Sequence, residues 1–164
     1  MADNIKNDAT AMMIQVDDGI RRIPITNSIG QEIGVFFFRP TDMGIIDRYN
    51  RMMEQFDDVL KPLENASIGT DGKAADPTDE ETAAAIAKAT ENLSRLLDEL
   101  FDGNFAEAFF GKMNPFSPVG GKFYCEGAIE AVGNFIEAAF GTEVEAMSKR
   151  TQKYTAPYQR RGRK

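Results

Sequence analysis

A chain of 164 residues with 42% apolar and 27% charged residues predicts one folded domain with an added tail, large enough to bury a true core. Histidine and tryptophan are absent and Cys125 is the single cysteine, which argues against Ser-His-Asp and Cys-His hydrolases, most zinc sites and any internal disulfide. The formal charge of −7 divides unevenly: Lys149, Arg150, Lys153, Arg160, Arg161, Arg163 and Lys164 meet no acid from residue 148 onward, so a body of −14 carries a tail of +7.

The first eleven residues are polar and are expected to be disordered. Their lack of a basic start and apolar stretch argues against a secretory signal. The longest apolar block, Val35 to Phe38, is far short of a membrane span. A soluble chain in a reducing, cytosolic setting is the expectation.

Residues 12–39 read as a three-stranded antiparallel meander. Met12 to Val16 is closed by Asp17-Asp18-Gly19, Ile20 to Thr26 by Asn27-Ser28-Ile29-Gly30, and Gln31 to Phe38 completes the set. Ile23 and Ile25 are assigned to one face with Ile33, Val35 and Phe37, and Pro24 marks an interrupted or exposed position. Helices follow over 41–62, 77–102, 104–110 and 122–141. In the first, Ile45, Tyr49, Met52, Phe56 and Val59 recur at three- and four-residue intervals. The second opens on Asp76-Pro77 with Thr78 and Glu81 at capping-box spacing, and Asp102-Gly103 stops it. Between them the stretch from Asn65 to Asp76 is a flexible connection. The last helix turns Ile129, Val132, Ile136 and Phe140 inward, ends at Gly141, and uses Gly127 and Gly133 for close approach by a neighbour. The fold class is α+β and mostly helical: a single domain over 12–147 and a flexible basic tail over 148–164.

Residues 113–121 are rich in turn formers and are expected to lack regular structure. Here Asn114, Pro115, Phe116, Pro118 and Phe123 make either a structural turn, with Phe116 plugging the core, or a preorganised recognition loop. Gly121-Lys122 is followed by Phe123, so the phosphate-loop pattern is missing. The acidic pairs and triplets show no calcium-loop spacing and read as solvated faces. Cys125 reads as a small buried hydrophobe. The methionines of the first helix, Met52 and Met53, are core filling or an adaptable apolar surface. Tyr154 and Tyr158 among the tail cations suit nucleic acid or an acidic protein surface.

Three stretches carry a resemblance: Arg22 to Asp42 (RIPITNSIGQEIGVFFFRPTD), the IIDRYNRMMEQFD helix, and Phe110 to Gly141 (FGKMNPFSPVGGKFYCEGAIEAVGNFIEAAFG). In order and texture the chain resembles the tail assembly chaperones of long-tailed bacteriophages of Gram-positive hosts. That resemblance implies a non-enzymatic protein without cofactor or metal, which binds the tape measure protein and keeps it soluble until tail tube subunits polymerise around it. It implies the host cytoplasm as the place of action, absence from the finished virion, and contact with the tail tube protein and a frameshifted longer form. Met52, Met53, Phe56, Asn114, Pro115, Phe116, Pro118 and Phe123 are the expected partner-binding residues. Exposed apolar helix faces also favour a homo-oligomer. Two other readings are a tail completion or connector protein and an adaptor that binds nucleic acid through the basic tail.

Overall fold

The computed structural model describes residues 12–65 and 80–159. It is a mixed α+β fold, dominated by helix. In chain order come β1 (Arg21–Thr26), β2 (Glu32–Phe38), α1 (Ile45–Asn65), α2 (Glu80–Phe101), α3 (Phe105–Phe110), β3 (Pro118–Val119), β4 (Lys122–Phe123) and α4 (Tyr124–Gln159).

The first hairpin follows from its turn. The Asn27 side-chain oxygen accepts the N–H groups of Ile29 (3.1 Å) and Gln31 (2.9 Å), and Gly30 takes φ of +81°, a conformation that costs glycine little. β1 and β2 pair antiparallel with Ile23 opposite Phe36, and the register shifts at Ile25/Thr26. Pro24 stays within β1 and is exposed, as an edge position permits.

Two expectations for this region are corrected. Residues 12–20 form no strand, so the sheet has two strands and the meander is absent. The phase of β2 is also opposite: Phe36 and Phe38 are buried at 1% exposure, whereas Phe37 is 44% exposed. Side chains alternate along a strand, so one residue of phase turns the entire set over. Gly34, on the same face as Phe36 and Phe38, is where α3 comes closest: a Cβ there would lie 2.1 Å from the Ala108 carbonyl oxygen.

That face meets an aromatic core. Phe36 and Phe38 stack at 4.2 Å, Phe105 and Phe109 at 4.4 Å, and Phe36 stands edge-on to Phe101, Phe105 and Phe109. Offset-stacked and edge-to-face pairs match the positive ring edge to the negative ring face. The leucine face of α2 closes the core as its spacing predicts, with Ala89, Leu93, Leu96, Leu97 and Leu100 buried. α1 packs along α2 through Val59 and Leu63, with Met52 and Ile45 at the margin of the core. Arg48 joins the pair by donating to the Leu100 carbonyl (2.8 Å), one of the terminal acceptors that α2 leaves open, while Asp42 holds its guanidinium at 2.8 Å.

α2 ends at Asp102-Gly103, as expected, but the roles are divided differently. Asp102 takes the left-handed conformation (φ 47°), and the N–H of Gly103 reaches the Asp98 carbonyl in a Schellman arrangement. Gly103 is needed for space, because a Cβ there would lie 2.5 Å from the Phe37 carbonyl oxygen. At the next corner Asn104 precedes α3 without capping it. Its side chain instead accepts from the Phe37 N–H (2.8 Å) and donates to the Val35 carbonyl (2.9 Å), covering the outer edge of β2. The N-terminus of α3 is satisfied from α2, where Asp98 accepts the Ala106 N–H at 2.8 Å. Burial pushes the Asp98 carboxyl above its ordinary value, partly offset by those backbone donors.

Helix ends depart from expectation in two places. α1 runs through Pro62 to Asn65 rather than ending at 62. α4 continues past Gly141 to Gln159, so residues 148–159, expected to be a flexible tail, are helical. Gly133 has nothing within 4 Å of where its Cβ would be and Gly127 meets only the end of Lys122, so neither admits a close neighbour within the fold. The disordered N-terminus, most of the connection after α1, the Asp76-Pro77-Thr78 helix start and Arg160 to Lys164 lie outside the described residues.

Candidate functional site

The loop before α4 is built as an anchor followed by a turn. The Asn114 side chain accepts the Phe116 N–H (2.9 Å) and donates to Thr90 Oγ1 on α2 (3.3 Å), and Pro115 is fully buried. Pro115 is therefore closed to any partner, while Phe116 packs against the core from its margin. Phe116 is half-buried and meets Phe123 edge-on at 5.6 Å. The second half is regular, contrary to expectation: β3 and β4 form a minimal hairpin. Gly120 and Gly121 both have positive φ there (+62° and +80°), the requirement of a type I′ turn. The loop also supplies the start of α4. The Pro115 and Ser117 carbonyls accept the N–H groups of Cys125 (2.9 Å) and Tyr124 (2.8 Å), and Glu126 reaches back to the Phe123 N–H (2.6 Å).

The eight expected contact residues do not form one site. Met52 and Phe56 are half-buried on α1 and Met53 is exposed, while Pro118 and Phe123 are exposed on the small hairpin. Asn114 is exposed but engaged with α2. Met52 lines a shallow hollow between α1 and α2, and Phe123 a separate groove.

That groove encloses about 740 Å³. One wall is the β1–β2 hairpin, through Ile23, Ile25, Phe36 and Phe38; the other is the first three turns of α4, through Gly127, Ala128, Ala131 and Phe135. Val119 and Phe123 close one end, and Lys112 and Lys122 bring the cations, Lys122 being paired with Glu130. Small residues at 127, 128 and 131 hold the helix surface low, so the wall is apolar and open. The expected inward stripe through Ile129, Val132 and Ile136 packs on the core, and the groove is lined by the neighbouring stripe. Its sequence signal was the spacing of Gly127, Ala131 and Phe135, four residues apart.

A second apolar feature lies on α4 beyond the body. From Gly141 to Lys153 every residue is exposed, and Val144 and Met147 continue a stripe from half-buried Phe140 at helical spacing. The cations of this region are exposed, and Lys149 pairs with Glu145 at 2.9 Å.

Cys125 is buried among these elements, and burial pushes its thiol up to about 11. At pH 8 only roughly one such thiol in a thousand is ionised, against about a quarter for a free cysteine. Titration with a disulfide reagent at pH 8 is therefore expected to run at least about a hundredfold slower in the native protein than in urea. Similar rates in both states would contradict the burial.

Among the described residues no group of three His, Cys, Asp or Glu side chains is placed to hold a metal ion, and no helix is long and apolar enough to cross a membrane. Comparison of the chain with family models, with curated proteins and with solved structures returns no match.

Proposed function

We propose that this chain is a tail assembly chaperone that binds the tape measure protein of a long-tailed phage and keeps it soluble during tail tube polymerisation. It acts without catalysis in the host cytoplasm and leaves before the virion is complete. The observation that supports this most is the outer half of α4. Gly141 to Gln159 extends about 28 Å at 1.5 Å per residue, with Phe140, Val144 and Met147 along one side. A helix that carries an apolar stripe into solvent offers a partner helix a seam at intervals of four and three residues. A tape measure protein, long and helical, presents such stripes and would aggregate while they are bare. Exposed Met53 and Phe123 add contacts from the body, and the acidic body keeps the complex soluble.

Coexpression with a phage tape measure protein tests the reading. The wild-type chain is expected to render that protein soluble and to copurify with it, and Val144→Asp with Met147→Asp to abolish both. Because these side chains are 61% and 67% exposed, helix content should be unchanged. Equal solubilisation by the double variant would overturn the assignment to α4, and failure of the wild-type chain would overturn the chaperone reading.

A further inference from the structure

The groove beside β1 has a counterpart elsewhere in the same chain. Residues Met12 to Val16 precede the Asp17-Asp18-Gly19 turn and belong to no helix or strand. They nevertheless alternate as a strand does, with Met12, Ile14 and Val16 on one side and Met13 and Gln15 on the other. All are exposed, Ile14 at 98% and Val16 at 77%, and none lines the groove. Three large apolar side chains of one phase thus stand in water.

The two edges of the β1–β2 sheet differ. Asn104 occupies the outward N–H of Phe37 and carbonyl of Val35 on β2. Among the described residues no hydrogen bond reaches the outer edge of β1, which runs directly beside the groove. Pro24 removes one donor from that edge, while Arg22 and Thr26 keep theirs. β1 is six residues long and the arm five, about 17 Å when extended. An uncovered edge beside an apolar wall is the surface that accepts an added strand.

The root of the arm separates it from its own groove. Asp17 accepts the Gly19 N–H (2.9 Å) and pairs with Arg21 (3.1 Å). Asp18 accepts the Ile20 N–H (3.1 Å) and pairs with Arg39, which follows β2 and also reaches Asp102 at 3.5 Å. These bonds fasten the root of the arm across the end of the hairpin, to Arg21 at the start of β1 and to Arg39 just after β2. The groove opens on the β1 side.

We propose that the arm Met12–Val16 of one copy adds as a strand to the β1 edge of a second copy, with Met12, Ile14 and Val16 seated in its groove. Reciprocal exchange closes a two-fold dimer, and one-way exchange closes a ring or extends a chain. Gly127, Ala128 and Ala131 provide the clearance for the inserted side chains. This inference is independent of the chaperone reading, because it needs no partner other than the chain itself.

The test uses the full-length chain and no tape measure protein. Gln15→Cys or Met13→Cys is placed on one tagged copy and Pro24→Cys on another. In strand phase these positions match one another and alternate with Ile23 and Ile25, Pro24 standing exposed at the rim of the groove, and buried Cys125 serves as the unreactive background in single-copy controls. Oxidation of the mixture is expected to join the two tags, and sedimentation of Ile14→Asp to show self-association weakened at least tenfold. Ala131→Trp, which fills the groove on an exposed helix position, should have the same effect. A disulfide formed only within one chain carrying both Gln15→Cys and Pro24→Cys would overturn the second copy as occupant. A wild-type chain that sediments as a monomer at all concentrations, or an Ile14→Asp variant that associates as tightly as wild type, would overturn the proposal outright.

Discussion

Phe105→Ala is expected to destabilise the protein by about 3–5 kcal/mol, the range for emptying an aromatic site that cannot collapse. Phe105 is 0% exposed and its ring meets Phe36, Phe101, Phe109 and Phe110 at centroid distances from 4.4 to 5.6 Å. It is the ring through which β2, α2 and α3 are held together, so no single element can move to fill the space. Urea unfolding would measure the effect as a lower midpoint with an unchanged slope. Phe37→Ala is the control: it removes the same atoms from the outward face of β2 and should cost under about 1 kcal/mol. A double substitution with Phe36→Ala should depart from additivity by about 0.5–3 kcal/mol, because the two rings share neighbours. If Phe105→Ala costs no more than Phe37→Ala, the inward phase of β2 and the aromatic core are both wrong.

That control marks where the sequence was ambiguous. Val35-Phe36-Phe37-Phe38 is four apolar residues in succession, and period two cannot choose a face in such a run. The deciding fact lies one residue earlier: Gly34 is the position that lets α3 approach, and the residues two and four positions after it, Phe36 and Phe38, must also face inward. The leucines of α2 were legible because a long amphipathic pattern tolerates a misplaced residue. The Asn27–Gly30 turn was legible because its residue types have few alternatives.

The missing third strand is a different failure. Met12 to Val16 has strand alternation, and the turn after it reads as a hairpin turn; what the pattern did not show is that Asp18 is taken by Arg39, 21 residues away. Local pattern carries no information about that bond. The length of α4 is hidden in the sequence because glycine is an ambiguous stop signal. Gly141 ends a helix only where the chain takes a left-handed conformation, and here Glu143, Glu145, Ala146 and Lys149 continue the helix at low cost. The candidate site suffered most. Pro115 and Phe116 are adjacent residues of one loop that both pack inward, and which of them is fully buried depends on where Asn114 is fastened to α2. The groove is a property of two elements about a hundred residues apart, so neither element's own pattern displays it.

The glycines turn this contrast into a paired expectation. Gly34→Ala would place a Cβ 2.1 Å from a backbone oxygen of α3, which cannot rotate away as a side chain can. Either β2 lifts from α3 or the helix shifts against Phe105 and Phe109, and overpacking of this kind costs about 1–3 kcal/mol or more. Because Asn104 fastens the same stretch of β2, lifting the strand also strains the bonds to Val35 and Phe37. Gly133→Ala should do the reverse. Gly133 is exposed inside α4 with no atom near its Cβ position, so alanine removes a helix-interior penalty of about 1 kcal/mol without meeting anything. Thermal unfolding should register that gain as a rise of about 2–4 °C. The pair separates fold from function as well, since Gly133 lies outside the lining of the groove. A stabilising Gly133→Ala that leaves both self-association and partner solubilisation intact is the expected result. A destabilising Gly133→Ala would mean that something packs against that face of α4, and a harmless Gly34→Ala would mean that β2 and α3 do not touch.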